Sequence, residues 1–144
     1  MLWLGDGLIN DHTDGHVDNL ARFVGPNRLA LPRATGKDDP NAAIYADARA
    51  RAEAFGVEVC EIPSPGLITR GDFVEPASYA NFAITTNLVV VPTFGSIHDD
   101  EGVAAIAALF PDHATIGLPA DAVLAGGGGF HCASQQMPAG VRPD

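Results

Sequence analysis

Gly25-Pro26-Asn27-Arg28-Leu29-Ala30-Leu31-Pro32 returns as Thr85-Thr86-Asn87-Leu88-Val89-Val90-Val91-Pro92, with Asn27 and Pro32 each recurring 60 positions later as Asn87 and Pro92. In both copies an apolar run, His16 to Val24 or Ser78 to Ile84, reaches a turn and comes back as a second apolar run, the pattern of a β-hairpin. Each hairpin is followed by a helical stretch and a strand. Ala42 to Phe55 carries Ala, Ile, Tyr, Arg and Glu at helical spacing behind Asp38-Asp39-Pro40, and Gly56 stands where a glycine ends a helix. Val57 to Ile62 alternates as a strand does and is apolar on both faces, which predicts an interior strand. In the second copy Asp99-Asp100-Glu101 opens a helix that runs to Phe110, and His113 to Leu118 is the strand. Pro63 to Pro76, between the copies, reads as a loop rich in Pro and Gly. A repeat of this length predicts an α/β fold of stacked or radially arranged hairpin-helix-strand units, none able to bury its apolar face alone.

Outward from the repeat, Met1-Leu2-Trp3-Leu4-Gly5 reads as a buried strand, and Ile9 to Gly15 as a polar loop. At the other end, Gly126-Gly127-Gly128-Gly129-Phe130-His131-Cys132 opens a third copy, cut short. If the units surround an axis, their heads converge there. His16 and Asp18 head the first hairpin, and His131 and Cys132 head the third.

At 144 residues and 47% hydrophobic content the chain has the size of one domain and enough apolar material for a core. No apolar run approaches the ~20 residues that span a bilayer and no signal-like leader opens the sequence, so the expected location is the cytoplasm. Cys60 and Cys132 are then expected as reduced thiols. A net charge of −10 argues against nucleic acid as partner and is compatible with a cationic small molecule.

Four consecutive glycines serve a place where backbone comes unusually close to something else, here expected to be a ligand. An imidazole and a thiol follow at once, a general base and a nucleophile that both work near neutral pH. Cys132 is therefore read as a nucleophile, whereas Cys60, in an apolar strand, reads as a small buried hydrophobe. On an extended strand Asp18, two residues after His16, would share the face of that imidazole, while His131 would point away from Cys132 and pack. Asp11 and Asp14 suit turn caps, with a weaker reading of Asp14 near the amine end of a substrate. His12 and His16 have the i, i+4 spacing of a metal site, but Thr13-Asp14-Gly15 supports no helix, so no metal is expected.

Three blocks carry a resemblance: Gly7-Leu8-Ile9-Asn10-Asp11-His12-Thr13-Asp14-Gly15-His16-Val17-Asp18-Asn19, Pro76-Ala77-Ser78-Tyr79-Ala80-Asn81-Phe82, and Gly128 through Cys132 to Ser134-Gln135-Gln136-Met137-Pro138. Together they resemble the C-terminal portion of the agmatine deiminases, in the bacterial-type peptidylarginine deiminase family. The resemblance implies a five-bladed α/β propeller, the guanidino-group-modifying or pentein fold. Residues 1–144 would be part of its single catalytic domain, with N-terminal blades and at least one further carboxylate lying outside them. It implies Cys132, His16 and Asp18 as the reacting groups, with no metal or organic cofactor, and a homodimer. Agmatine, a small cationic guanidino compound, would be hydrolysed to N-carbamoylputrescine and ammonia. Phe130 and Ala133 depart from the family's usual residues. A peptidylarginine or free-arginine deiminase is the nearest rival, and a catalytically incomplete interaction module is the alternative from another class.

Overall fold

The computed structural model describes residues 1–137, so Pro138, the last residue of the third block, lies outside it. The elements run α1 (Val17–Leu20), β1 (Arg22–Gly25), β2 (Arg28–Arg33), α2 (Ala42–Phe55), β3 (Glu58–Pro63), β4 (Thr69–Arg70) and β5 (Phe73–Val74). A 3₁₀ turn at Tyr79–Asn81 follows, then β6 (Ala83–Ile84), β7 (Leu88–Thr93), α3 (Asp99–Leu109), β8 (Ala114–Pro119) and α4 (Asp121–Leu124). Two sheets of three strands, β1-β2-β3 and β6-β7-β8, each join an antiparallel pair to a parallel one. The repeat is therefore real and has a structural reason. Asn27, left-handed at φ 57°, turns the first hairpin, and its carbonyl accepts the N–H of Glu58 at the start of the parallel strand. The Asn87 carbonyl accepts the N–H of Ala114 in the same way. Each parallel pair also closes alike, Ser64 N–H on Arg33 O and Ala120 N–H on Thr93 O, both at 2.9 Å.

Alternation along β2 distributes the apolar surface of the first unit. Leu29 and Leu31 face Tyr45, Ala48 and Ala52, which share one stripe of α2, while Ala30 and Ile62 of β3 enter the core of the second unit. Alanines at the contact bring α2 close to the sheet. The helix ends at Gly56, left-handed at φ 88°, where Val57 N–H reaches back to Ala52 O at 3.1 Å as in a Schellman cap. Helix α3 packs against β7 and β8 of its own sheet and against β3 of the preceding one, so it locks the units together. Its acidic first turn, Asp99-Asp100-Glu101, complements the helix dipole, and Asp99 also accepts from Tyr79 Oη at 2.7 Å.

Several expectations are corrected. Residues 1–5 form no strand: Met1 and Trp3 are exposed, and only Leu2 and Leu4 touch the first core. His16 to Val24 is not one strand, because the helical turn α1 precedes β1, and the 3₁₀ turn stands in the same place before β6. Strand β3 is an edge strand of its sheet, and its apolar second face is explained by α3 and not by a neighbouring strand. The 63–76 loop contains the small β4-β5 hairpin. Short helix α4 stands between β8 and the glycines, and no strand follows it among the described residues.

Gly102 offers a test of this packing. A Cβ there would lie 2.6 Å from the Tyr79 ring, which is fully buried, stacked on Phe94 and held by Asp99. Overpacking costs about 1–3 kcal/mol, against a helix-propensity gain of ~1 kcal/mol for Gly→Ala. Gly102→Ala is therefore expected to lower the urea midpoint; a raised midpoint would show that the ring can move.

Candidate active site

Three chain segments meet at the heads of the units. The first is the loop ahead of α1. Its backbone crosses itself, since a Cβ on Gly7 would lie 2.3 Å from Gly15 Cα, and no side chain fits between them. Asp11 Oδ1 accepts the Thr13 N–H at 3.0 Å, an Asx turn of the kind expected for Asp11, and delivers His16 to the N-cap position of α1. The second is the 3₁₀ turn carrying Asn81. The third is the turn Gly126 to Ala133.

These segments bring together groups more than a hundred residues apart in the chain. Asp18 Oδ2 lies 2.5 Å from His131 Nδ1 and 3.2 Å from Cys132 Sγ. One polar atom each of His16, Asp18 and Cys132 falls within 4.8 Å of the others. Asp18 reaches them from the first turn of a helix and not from a strand, so the face-sharing argument for His16 and Asp18 was wrong in its geometry. His131 does not point away, because residues 131–133 are a turn, and its imidazole holds the carboxylate. Asp14, exposed and left-handed at φ 60°, lines a separate depression beside Met1 to Gly7 and not the one that holds Cys132.

Asn81, 1% exposed, organises the third segment. Its Oδ1 accepts the N–H groups of Gly129 at 2.9 Å and Cys132 at 3.1 Å, and its backbone carbonyl accepts that of His131 at 3.1 Å. Its Nδ2 donates to Asn19 Oδ1 at 2.7 Å and to Cys132 Sγ at 3.0 Å. The glycines make this contact possible. A Cβ on Gly128 would stand 2.5 Å from the sulfur, one on Gly129 2.9 Å from Asn81 Oδ1, and one on Gly127 2.4 Å from His12 Nε2. The close approach expected of this run is thus first an approach to the site's own atoms. Gly126 to Gly129 also line, with Thr13, His16 and Cys132, a cavity of about 360 Å³. Asp18 and His131 open instead on a neighbouring cavity of about 420 Å³, so the cluster forms the wall between the two.

Burial pushes the Asp18 carboxyl up, but hydrogen bonds from His131 and Cys132 and the nearby imidazoles of His131 and His16 outweigh it and hold the carboxyl below its ordinary value. Burial pushes the Cys132 thiol up. The Asn81 amide pulls it down, the Asp18 carboxylate pushes it up by contact and by charge, and the balance lies above the ordinary thiol value. The resting site is therefore a carboxylate beside a protonated thiol, which a bound cation would help to ionise. His16, Asp18 and Cys132 would also fit round a metal ion. Cys60 and Cys132 are both free thiols.

The sequence model of the Porphyromonas-type peptidyl-arginine deiminases matches residues 1–138. The chain belongs to that family. The peptidyl-arginine deiminase-family chain is 36% identical over 166 residues to an agmatine deiminase of Pseudomonas putida, an alignment covering 99% of this chain and 45% of that protein. Among solved structures, the agmatine deiminase of Enterococcus faecalis superimposes with a TM-score of 0.85 at 31% identity, covering 95% of this chain and 44% of that one. Campylobacter jejuni agmatine deiminase gives 0.83 at 28%, covering 93% and 41%. The two hairpin-helix-strand units are accordingly blades of a five-bladed α/β propeller, present here in part. The chain spans less than half the length of the relatives it matches. No helix among the described residues is long and apolar enough to cross a membrane.

The sequence assigns His131 to packing and gives Asn19 and Asn81 no role, and it expects the glycines to approach a ligand where Gly128 approaches Cys132 Sγ. The signal for the two asparagines was the repeat itself: they occupy corresponding head turns, just ahead of β1 and β6.

Proposed function

We propose that this chain carries the nucleophile and its proton-transfer partner in an agmatine deiminase, the remaining guanidinium contacts coming from outside these residues. The observation that carries the reading is the meeting of one polar atom each of Cys132, His16 and Asp18 within 4.8 Å of one another. A guanidinium stays protonated at any biological pH, is planar, and presents its N–H donors in a fixed fork, so a carboxylate meets it bidentately. Asp18, charged through the neutral range and standing in the wall between the two cavities, would exchange its contact with the thiol for that grip as the guanidinium enters, leaving the central carbon open to the sulfur. The substrate's positive charge offsets the carboxylate and favours the Cys132 thiolate, which adds to the carbon. His16, facing the cavity that Cys132 faces, protonates the departing nitrogen, and ammonia leaves. An amidino group remains bonded to sulfur. The same imidazole, now neutral, takes a proton from water as the water attacks, and collapse of the second adduct returns the thiolate and releases N-carbamoylputrescine.

The test is to quench the protein with acid during turnover of agmatine and map adducts by peptide mass spectrometry. The expected result is an amidino adduct on Cys132 alone, replaced by no adduct in Cys132→Ala. Ammonia release without an adduct on Cys132 would sink the reading. Running arginine beside agmatine separates the nearest rival.

A further inference from the structure

Nothing in the chemistry above uses Asn81, although it makes more polar contacts to the nucleophile's turn than any other side chain described. Its amide orientation is fixed by its neighbours. The backbone N–H groups of Gly129 and Cys132 can only donate, so the atom they meet is Oδ1 and the other is the NH₂. The far end of the chain agrees. Asp11 Oδ2, which can only accept when ionised, takes the Asn19 Nδ2 at 3.1 Å, which leaves Asn19 Oδ1 to accept from Asn81. Both amides between Asp11 and Cys132 are thus fixed in orientation, and the Asn81 NH₂ donates on one side to Asn19 and on the other to sulfur.

We propose that Asn81 is the positioning residue of the nucleophile: its carbonyl oxygen fixes the 129–132 turn through two backbone donors, and its amide N–H stabilises the Cys132 thiolate. The inference rests on the reading of Cys132 as nucleophile. An N–H donor is stronger to an anion than to a neutral thiol, so it favours ionisation. Four titratable or charged groups lie near it on the surrounding elements: Asp18 on α1, which opposes ionisation, the imidazoles of His16 and His131, and the Arg22 guanidinium, whose positive charge favours it. Asn81 supplies the side-chain donor to sulfur, beside a weaker contribution from the Gly129 backbone, without carrying a charge of its own.

Asn81→Asp separates the two parts of the role, because it keeps an acceptor for both backbone N–H groups and replaces the donor by a carboxylate oxygen. The measurement is the rate of Cys132 alkylation by iodoacetamide between pH 6.5 and 10, by peptide mass spectrometry, with Cys60 in the same chain as internal reference. Thiol reactivity follows the thiolate fraction. The expected result is alkylation at pH 8 slowed by about tenfold or more, the equivalent of a one-unit rise, with the high-pH limit little changed and the Cys60 rate unchanged. A profile matching wild type overturns the proposal, since a purely structural role would leave it in place. Should Asn81→Asp unfold the chain, seen as a jump in Cys60 reactivity, Asn19→Ala decides. It removes the acceptor that orients the Asn81 amide, with the Asn19 donor to Asp11, and is expected to slow Cys132 in the same direction by about two- to threefold; no slowing overturns the proposal. Alkylation needs no turnover, so these results stand apart from success or failure of the agmatine assay.

Discussion

Asp18→Asn is expected to move two readouts in opposite directions: turnover of agmatine falls by about 10³-fold, while alkylation of Cys132 at pH 8 becomes faster. The first follows from removing the charge that pairs with a guanidinium, since a neutral amide offers one acceptor where the carboxylate offered two and cannot balance the cation. The second follows from the sign of the interaction with sulfur. Asp18 accepts a hydrogen bond from the neutral thiol and repels the thiolate, and both effects raise the thiol. Without them the thiol titrates lower, and at any pH below its midpoint the ionised fraction grows. Asp18 itself titrates below the ordinary carboxylate range, so wild type keeps the charge over the whole pH range of the assay. Slower alkylation in the variant would mean that the carboxylate organises the thiol and does not oppose its ionisation.

Gly128→Ala is the second large effect expected. The added methyl would sit 2.5 Å from Cys132 Sγ and 2.7 Å from its Cβ. The Cβ cannot swing aside as the end of a long side chain could, because the Cys132 backbone is held by Asn81. Either the sulfur leaves its place or the turn opens. A displacement of about 1 Å at a reacting atom costs on the order of 10²-fold in rate, and overpacking costs about 1–3 kcal/mol of stability. Turnover and thermal unfolding measured together are expected to show both. Full turnover in this variant would mean that the sulfur reacts from a position other than the one described.

Much of the scaffold could be read from the residues because hairpin turns and helix caps are local chemistry. Asn27 with Asn87, Pro32 with Pro92, and Gly56 at the end of α2 all mark places where backbone conformation is decided within a few residues. The site was legible in its reacting groups and not in its geometry. The hairpin pattern over His16 to Val24 puts Asp18 on an extended strand, yet Val17–Leu20 forms a helical turn, which carries buried Asn19 to Asn81. His131 was misjudged for the same reason, since period-two reasoning applies only where there is a strand. Exposure of Met1 and Trp3 was equally invisible, because an apolar run reads alike whether or not anything covers it.

The hydrogen bond between Asn19 and Asn81 adds a polar link between two blades that already meet through Ala30, Ile62 and α3. Arg22 repeats the link, donating to Phe82 O at 2.9 Å with its guanidinium 4.8 Å from the centre of the Phe82 ring. If the Asn81 amide stabilises the thiolate, blade docking and sulfur ionisation share that contact, and the coupling between them is reciprocal. Substitutions at the seam, far from any reacting atom, should register in the chemistry of Cys132, and a ligand that draws out the thiolate should tighten the seam.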